Sequence, residues 1–183
     1  MKTLTNYINE GLISDIILKL LDASLSWLGG ASKWIGDNLT SATAEIWKTS
    51  KSISASAWDE LRTKSGVKGQ GAPKNERECT EMLVKGLLNE PDADKRNKAI
   101  DDFVKKNLDP KAKSTANFYL TTRMESAMIT LSDPNASDKQ KKEAENALKE
   151  IAAKSPAYAK KIDAFMLELS QRNKQENNTE ENQ

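Results

Sequence analysis

Residues 137–173 read SDKQKKEAENALKEIAAKSPAYAKKIDAFMLELSQRN, and their chemistry decides the fold class. Ser137 stands three residues before Gln140, the spacing of a capping box in which two side chains satisfy the free N–H groups of a helix start. Ser155-Pro156 marks a second start, with serine as N-cap and proline at the first helical position, where no N–H is needed and the fixed φ suits the helix. Around these signals Leu148, Ile151, Tyr158, Ile162, Phe165 and Leu169 recur at helical spacing. The pattern predicts two helices, over 137–154 and 156–173, each with a solvated charged face.

The same signals extend upstream. Residues 76–90, 95–107 and 111–131 each carry a helical stripe; Pro91 closes the first, and Asp109-Pro110 reads as a further N-cap and first-position pair. With Met82, Leu83, Leu87, Ile100, Phe103, Val104, Phe118, Leu120, Met124, Met128 and Leu131 added, the apolar positions are expected to form one core. That core belongs to a bundle of four or five short helices over 76–173. Nothing reads as a strand pair, so the expected class is all-α. Residues 174–183 contain no apolar side chain and are expected to be a disordered tail.

Before the bundle lies SGVKGQGAPKN (65–75), whose glycines and proline predict a flexible linker. Its GVKGQGAP core has neither the pattern nor the preceding strand of a phosphate-binding loop. Between 40 and 64 the texture is Ser, Ala and Thr with sparse anchors. Leu39, Ile46 and Ile53 fall seven apart, and Trp47 and Trp58 eleven apart, both near whole numbers of helical turns. So narrow a stripe needs a partner: the preceding helix, another copy of the chain, or a lipid surface.

Residues 12–37 are far more apolar. Ile13, Ile16, Ile17, Leu20, Leu21, Trp27 and Trp34 fall on a wide arc, and Asp15, Lys19, Asp22, Lys33 and Asp37 on a narrow one. Gly29-Gly30 costs about 2 kcal/mol of helix propensity relative to two alanines, which predicts a bend or a break. Residues 11–64 thus form an amphipathic, tryptophan-bearing region. Its expected membrane or partner contacts are Ile13, Ile16, Ile17, Leu20, Trp27, Trp34, Trp47 and Trp58.

Composition narrows the chemistry. The 28 basic side chains are balanced by 27 acidic ones, so affinity through phosphate neutralisation is not expected, and with it no specific nucleic-acid recognition. The chain contains no histidine, which removes the commonest general base at neutral pH and every Ser-His or Cys-His nucleophile. One cysteine, Cys79, permits no internal disulfide, and without a second thiol or a histidine the usual zinc ligand sets are absent. Cys79 reads as a small helix-face residue. The pairs Asp101-Asp102 and Glu78-Glu81 read as solvated surface rather than an acid–base couple. No catalytic residue, cofactor or metal is expected, and no signal peptide or membrane-spanning run.

The remaining motif is at the start, MKTLTNYINEG. Met1-Lys2-Thr3, an aromatic at Tyr7, and Ile8-Asn9-Glu10 before Gly11 resemble the capsid-targeting leader of internal head proteins of T-even-type tailed phages. The resemblance covers about ten residues. It implies a leader over 1–10, delivery into the assembling prohead, and cleavage by the prohead protease after the Glu of a Leu/Ile-x-Glu pattern, here between Glu10 and Gly11. Leu88-Asn89-Glu90 and Leu148-Lys149-Glu150 fit the same pattern, the first followed by Pro91 and the second inside a predicted helix. The expectation is a non-enzymatic virion cargo protein in the head interior or portal region, made in the host cytoplasm and ejected with DNA. Its expected partners are other virion proteins, the protease, a host membrane and further copies of itself. The alternative is a peripheral membrane-binding or toxin-like effector acting through the amphipathic helix 12–35.

Overall fold

A computed structural model describes the backbone of residues 36–180 and the side chains of residues 39–171. Every regular element among the described residues is helical. In chain order these are α1 (Gly36–Lys48), a 3-10 turn (Ser50–Ser52), α2 (Ala55–Ser65), α3 (Glu76–Leu88), α4 (Ala93–Asn107), α5 (Lys113–Ser132), α6 (Asp138–Lys154) and α7 (Pro156–Glu180).

Local chemistry starts most of them. Side-chain oxygens of Ser54, Asn75 and Asp92 accept from the backbone N–H of Ala57, Glu78 and Lys95, capping α2, α3 and α4. The Ser137 and Gln140 capping box is present at α6, and Pro156 opens α7. At Asp109-Pro110 the expected helix start is absent. Asp109 Oδ1 instead accepts from Lys111 N at 2.9 Å and its carbonyl from Ala112 N at 3.1 Å, a turn that delays α5 to Lys113. At the other end α7 runs past 173 to Glu180, where a disordered tail was expected: from Ala157 to Glu180 no Gly or Pro interrupts it.

The stripe of 40–64 finds a partner that the sequence does not name, the bundle itself. Leu39, Ile46 and Ile53 are all buried, in one cluster with Met82, Leu83 and Leu87 of α3 and Phe118 of α5. Each such aliphatic side chain contributes roughly 1.5–3 kcal/mol when fully withdrawn from water. A hydroxyl contact ties the same surfaces: Thr43 Oγ1 of α1 lies 2.9 Å from Thr80 Oγ1 of α3 and also donates to the Leu39 carbonyl at 2.8 Å. Where α2 crosses α3 the backbones are close. A Cβ added at Gly86 would lie 2.8 Å from Leu61 Cδ2, so only glycine fits without a shift.

Residues 65–75 therefore do not separate two packing units, and the segment is held rather than loose. Arg62, 4% exposed, points its guanidinium into the loop. Its Nε donates to the Gly71 carbonyl at 2.9 Å, and Nη1 and Nη2 donate to the carbonyls of Lys68 and Ala72 at 3.0 and 3.2 Å. Gly69, at φ +127°, passes so near that a Cβ would lie 3.0 Å from Arg62 Nη1. The loop is glycine-rich because it wraps a cation.

The single core expected for the bundle is two. The larger joins α1, α2, α3, α4 and one face of α5; the smaller joins Met124, Met128 and Leu131 on the opposite face of α5 to Leu148 and Ile151 of α6 and to Ile162 and Phe165 of α7. The separation follows from α5, which is covered on every side: residues 124–131 are buried without a break. Its polar members Ser126 and Thr130 fall between the two apolar faces, towards α4.

Candidate functional site

The cleavage residues Ile8, Glu10 and Gly11 and the expected contacts Ile13, Ile16, Ile17, Leu20, Trp27 and Trp34 lie outside the described residues. Of the other two expected contacts, Trp47 is half-buried against the larger core. Trp58 is wholly buried. Its indole Nε1 donates to the Ser50 carbonyl at 3.2 Å, and its ring meets Phe103 with centroids 6.5 Å apart and planes tilted by 59°. A side chain so enclosed touches neither lipid nor partner, because the indole is satisfied on all sides by its own chain.

The two internal matches to the cleavage pattern are enclosed in different ways. Leu88, the last residue of α3, is 1% exposed, and the Glu90 carbonyl, the one at the scissile bond, accepts from Arg96 Nη1 at 2.6 Å. Leu148 is 2% exposed in the middle of α6.

Arg96 is the centre of the most elaborate polar cluster among the described side chains. It is fully buried. Besides the Glu90 carbonyl it reaches that of Pro91 at 3.2 Å, the hydroxyls of Ser126 at 2.8 Å and Thr130 at 2.6 Å, and the Ser126 carbonyl at 3.2 Å. Ser126 in turn donates to Asn97 Oδ1 at 2.7 Å. Burial pushes the guanidinium down to about 10, against the pull of Asp133, Glu90 and Asp92, so it remains a cation at neutral pH. Ser126 donates to the neutral amide of Asn97 and Thr130 to the Ser126 carbonyl, so neither hydroxyl is paired with a base. The cluster joins the α3–α4 connection to α5.

A second buried arginine, Arg62, corrects the reading of Glu78 as solvated surface. Glu78 Oε1 accepts from Arg62 Nη1 at 2.8 Å, while Oε2 accepts from the Lys74 backbone N–H at 2.6 Å. Burial works to raise the Glu78 carboxyl, but these two partners hold it below the ordinary carboxylate range. Its contribution is present above that range and lost as pH falls through the depressed value. Neither arginine is legible as special in the sequence: Arg96 sits among the lysines of α4 and Arg62 two residues before Lys64, and only the distant acceptors set them apart.

Cys79 is where the sequence reading placed it, on a helix face and buried. Burial, with Glu76 and Glu78 nearby, pushes its thiol up to about 12 from an ordinary 9.0. A thiol reagent at pH 8 is expected to leave the native chain unlabelled and to label it in urea; fast labelling of the native chain would contradict the burial. Between pH 9.0 and about 12 the unfolded thiol ionises while the folded one does not, so stability is expected to fall across that interval.

A surface cavity of about 290 Å³ lies over the end of α3 between α2 and α4, with Lys64, Lys85 and Lys95 on its wall. Three ammonium groups suggest an anion. The arithmetic does not favour one: Lys64 pairs with Glu60 and Lys85 with Glu81, both at 2.6 Å, Glu90 lies on the same wall, and the cavity faces the negative C-terminal end of α3. Among the described residues no group of three or more His, Cys, Asp or Glu could hold a metal ion. No described helix is long and apolar enough to cross a membrane.

No family model, curated protein or solved structure matches this chain. Its functional reading therefore rests on its own residues: the N-terminal motif, an amphipathic stretch, and a helical body in which Arg62 and Arg96 hold two of the connections.

Proposed function

We propose that the chain is a non-enzymatic cargo protein of a tailed-phage head, with residues 1–10 as a leader removed after Glu10, residues 11–35 as a contact segment and the helical body as its folded freight. The observation that carries this reading is Ile8-Asn9-Glu10 followed by the small Gly11, within a leader-like MKT start. The body supports it indirectly, since its two other matches to the pattern have their leucines buried. The absence of histidine from the chain and the inert setting of Cys79 support a non-enzymatic role. The partners in this reading are virion proteins and the maturation protease, with copies of the chain meeting through the contact segment.

The test is the N-terminus of material recovered from the natural particle. Intact mass is expected to correspond to a chain beginning at Gly11, and Glu10→Gln is expected to leave the leader attached. A particle-borne chain that retains Met1 through Glu10 would overturn the reading.

A membrane-binding effector is the second reading, favoured by the wide apolar arc that carries Trp27 and Trp34. Because Trp58 is enclosed, a blue shift of emission on adding lipid vesicles has to come from Trp27, Trp34 or the half-exposed Trp47, and a Trp47→Phe chain separates the last from the first two. In this second reading the shift disappears in the Trp27→Phe, Trp34→Phe double variant.

A further inference from the structure

We propose that the fold acts as a processing check: a folded copy is trimmed only at the leader, whereas an unfolded copy is also cut at Glu150 and destroyed, the match at Glu90 being guarded by the fold and by Pro91 behind it. This rests on the reading of Glu10 as a cleavage site and adds to it a condition on the rest of the chain. A protease takes its substrate as an extended strand, with alternate side chains in pockets and the backbone hydrogen-bonded along its length. Neither internal match presents such a strand. To extend the first, Leu88 must leave the larger core, and the Glu90 carbonyl must leave Arg96 Nη1 at 2.6 Å. To extend the second, the middle of α6 must unwind and Leu148 must leave the smaller core.

The two sites differ in what opens them. The smaller core is built on one face of α5 from α6 and α7, so detaching that helical hairpin frees Leu148 and lets α6 unwind around the already exposed Glu150 while the larger core stands. Glu90 is released only when the larger core and the Arg96 cluster fail. Opening is therefore ordered, the segment around Glu150 before the segment around Glu90. Each cut is ordinary hydrolysis: water oxygen bonds to the Glu carbonyl carbon, the C–N bond breaks, and the following residue leaves as an amine carrying the proton.

The experiment uses the full chain and a brief pulse of a glutamyl endopeptidase across a urea series, with intact mass as the readout. Proline after Glu90 blocks such enzymes by itself, so a Pro91→Ala chain is run beside the wild type to isolate the effect of the fold. The expected result is no cut after Glu90 or Glu150 without urea in either chain, then Glu150 at lower urea than Glu90 in Pro91→Ala. Adding Thr130→Val, which removes one acceptor of Arg96 while leaving the guanidinium in place, is expected to speed cutting after Glu90 about tenfold, the factor of one lost buried hydrogen bond. Native Pro91→Ala cut after Glu90, or native chain cut after Glu150, as fast as unfolded chain overturns the proposal. So does Glu90 opening first. A particle-borne chain with an intact leader would sink the cargo reading and leave these results untouched, so the two failures are distinguishable.

Discussion

Arg96→Met is expected to lower the folding free energy by about 3 kcal/mol, read as a lower urea midpoint with an unchanged slope. Two effects oppose each other. Methionine fills the volume of the arginine stem and abolishes the burial of a charge, the same burial that depresses the guanidinium to about 10, and replacing a buried ion by an apolar side chain is often neutral or better. Against this stand five hydrogen bonds from a charged donor, three of them to groups of α5 that water does not reach. Each charge-assisted bond contributes roughly 1.5–3 kcal/mol net. Some of the loss is softened, because Ser126 retains Asn97 Oδ1 and Thr130 still donates to the Ser126 carbonyl. The Glu90 and Pro91 carbonyls lie near the surface and can turn to water. The hydrogen bonds still outweigh the relief of desolvation. Arg96→Lys is expected to cost about as much, since one ammonium cannot span acceptors on both the α3–α4 connection and α5. Wild-type stability in Arg96→Met would mean that desolvation cancels the whole cluster.

What the sequence makes legible is local. The Ser137 and Gln140 capping box, proline at the head of α7 and the apolar stripes of α3, α4, α6 and α7 depend on neighbours within four residues, and the structure reproduces them. The regularity of Leu39, Ile46 and Ile53 is legible too, but not what covers it, because a stripe records that burial occurs and not against which surface. The misreading of 65–75 has the same origin. Glycines mark freedom of the chain, and only the structure reveals that Arg62 fills the space they open. On α5 the difficulty is of another kind. Thr121, Thr122, Glu125, Ser126 and Thr130 blur a helical pattern, so a helix whose stretch 124–131 is buried on all sides reads as an ordinary amphipathic one, and two cores read as one. The candidate site shows the reverse balance: its motif is explicit in residues 8–11, while Arg62 and Arg96, which hold the connections of the body, carry no sequence mark at all.

Trp58→Ala is expected to cost about 3–5 kcal/mol, while Trp47→Ala costs about 1 kcal/mol or less. The contrast is a matter of enclosure. Trp58 is at 0% exposure on the buried face of α2, with Phe103 on one side and the Ser50 carbonyl on its indole nitrogen, and Phe103 meets Phe118 edge-on with centroids 6.2 Å apart. Truncation leaves a void ringed by aromatic and aliphatic groups that cannot collapse around a methyl, and it frees the Ser50 carbonyl of its donor. Trp47, at the margin of the same core, has water on one side and leaves a dent rather than a void. Because α2 meets α3 across Gly86 and holds the 66–75 loop through Arg62, the loss is expected to reach beyond one helix. Amide exchange should quicken across α2 and the first turn of α3 well before it does in α6. If instead Trp58→Ala folds with unaltered stability and merely weakens attachment to lipid vesicles, the indole is an external contact and the packing of α2 described above is wrong.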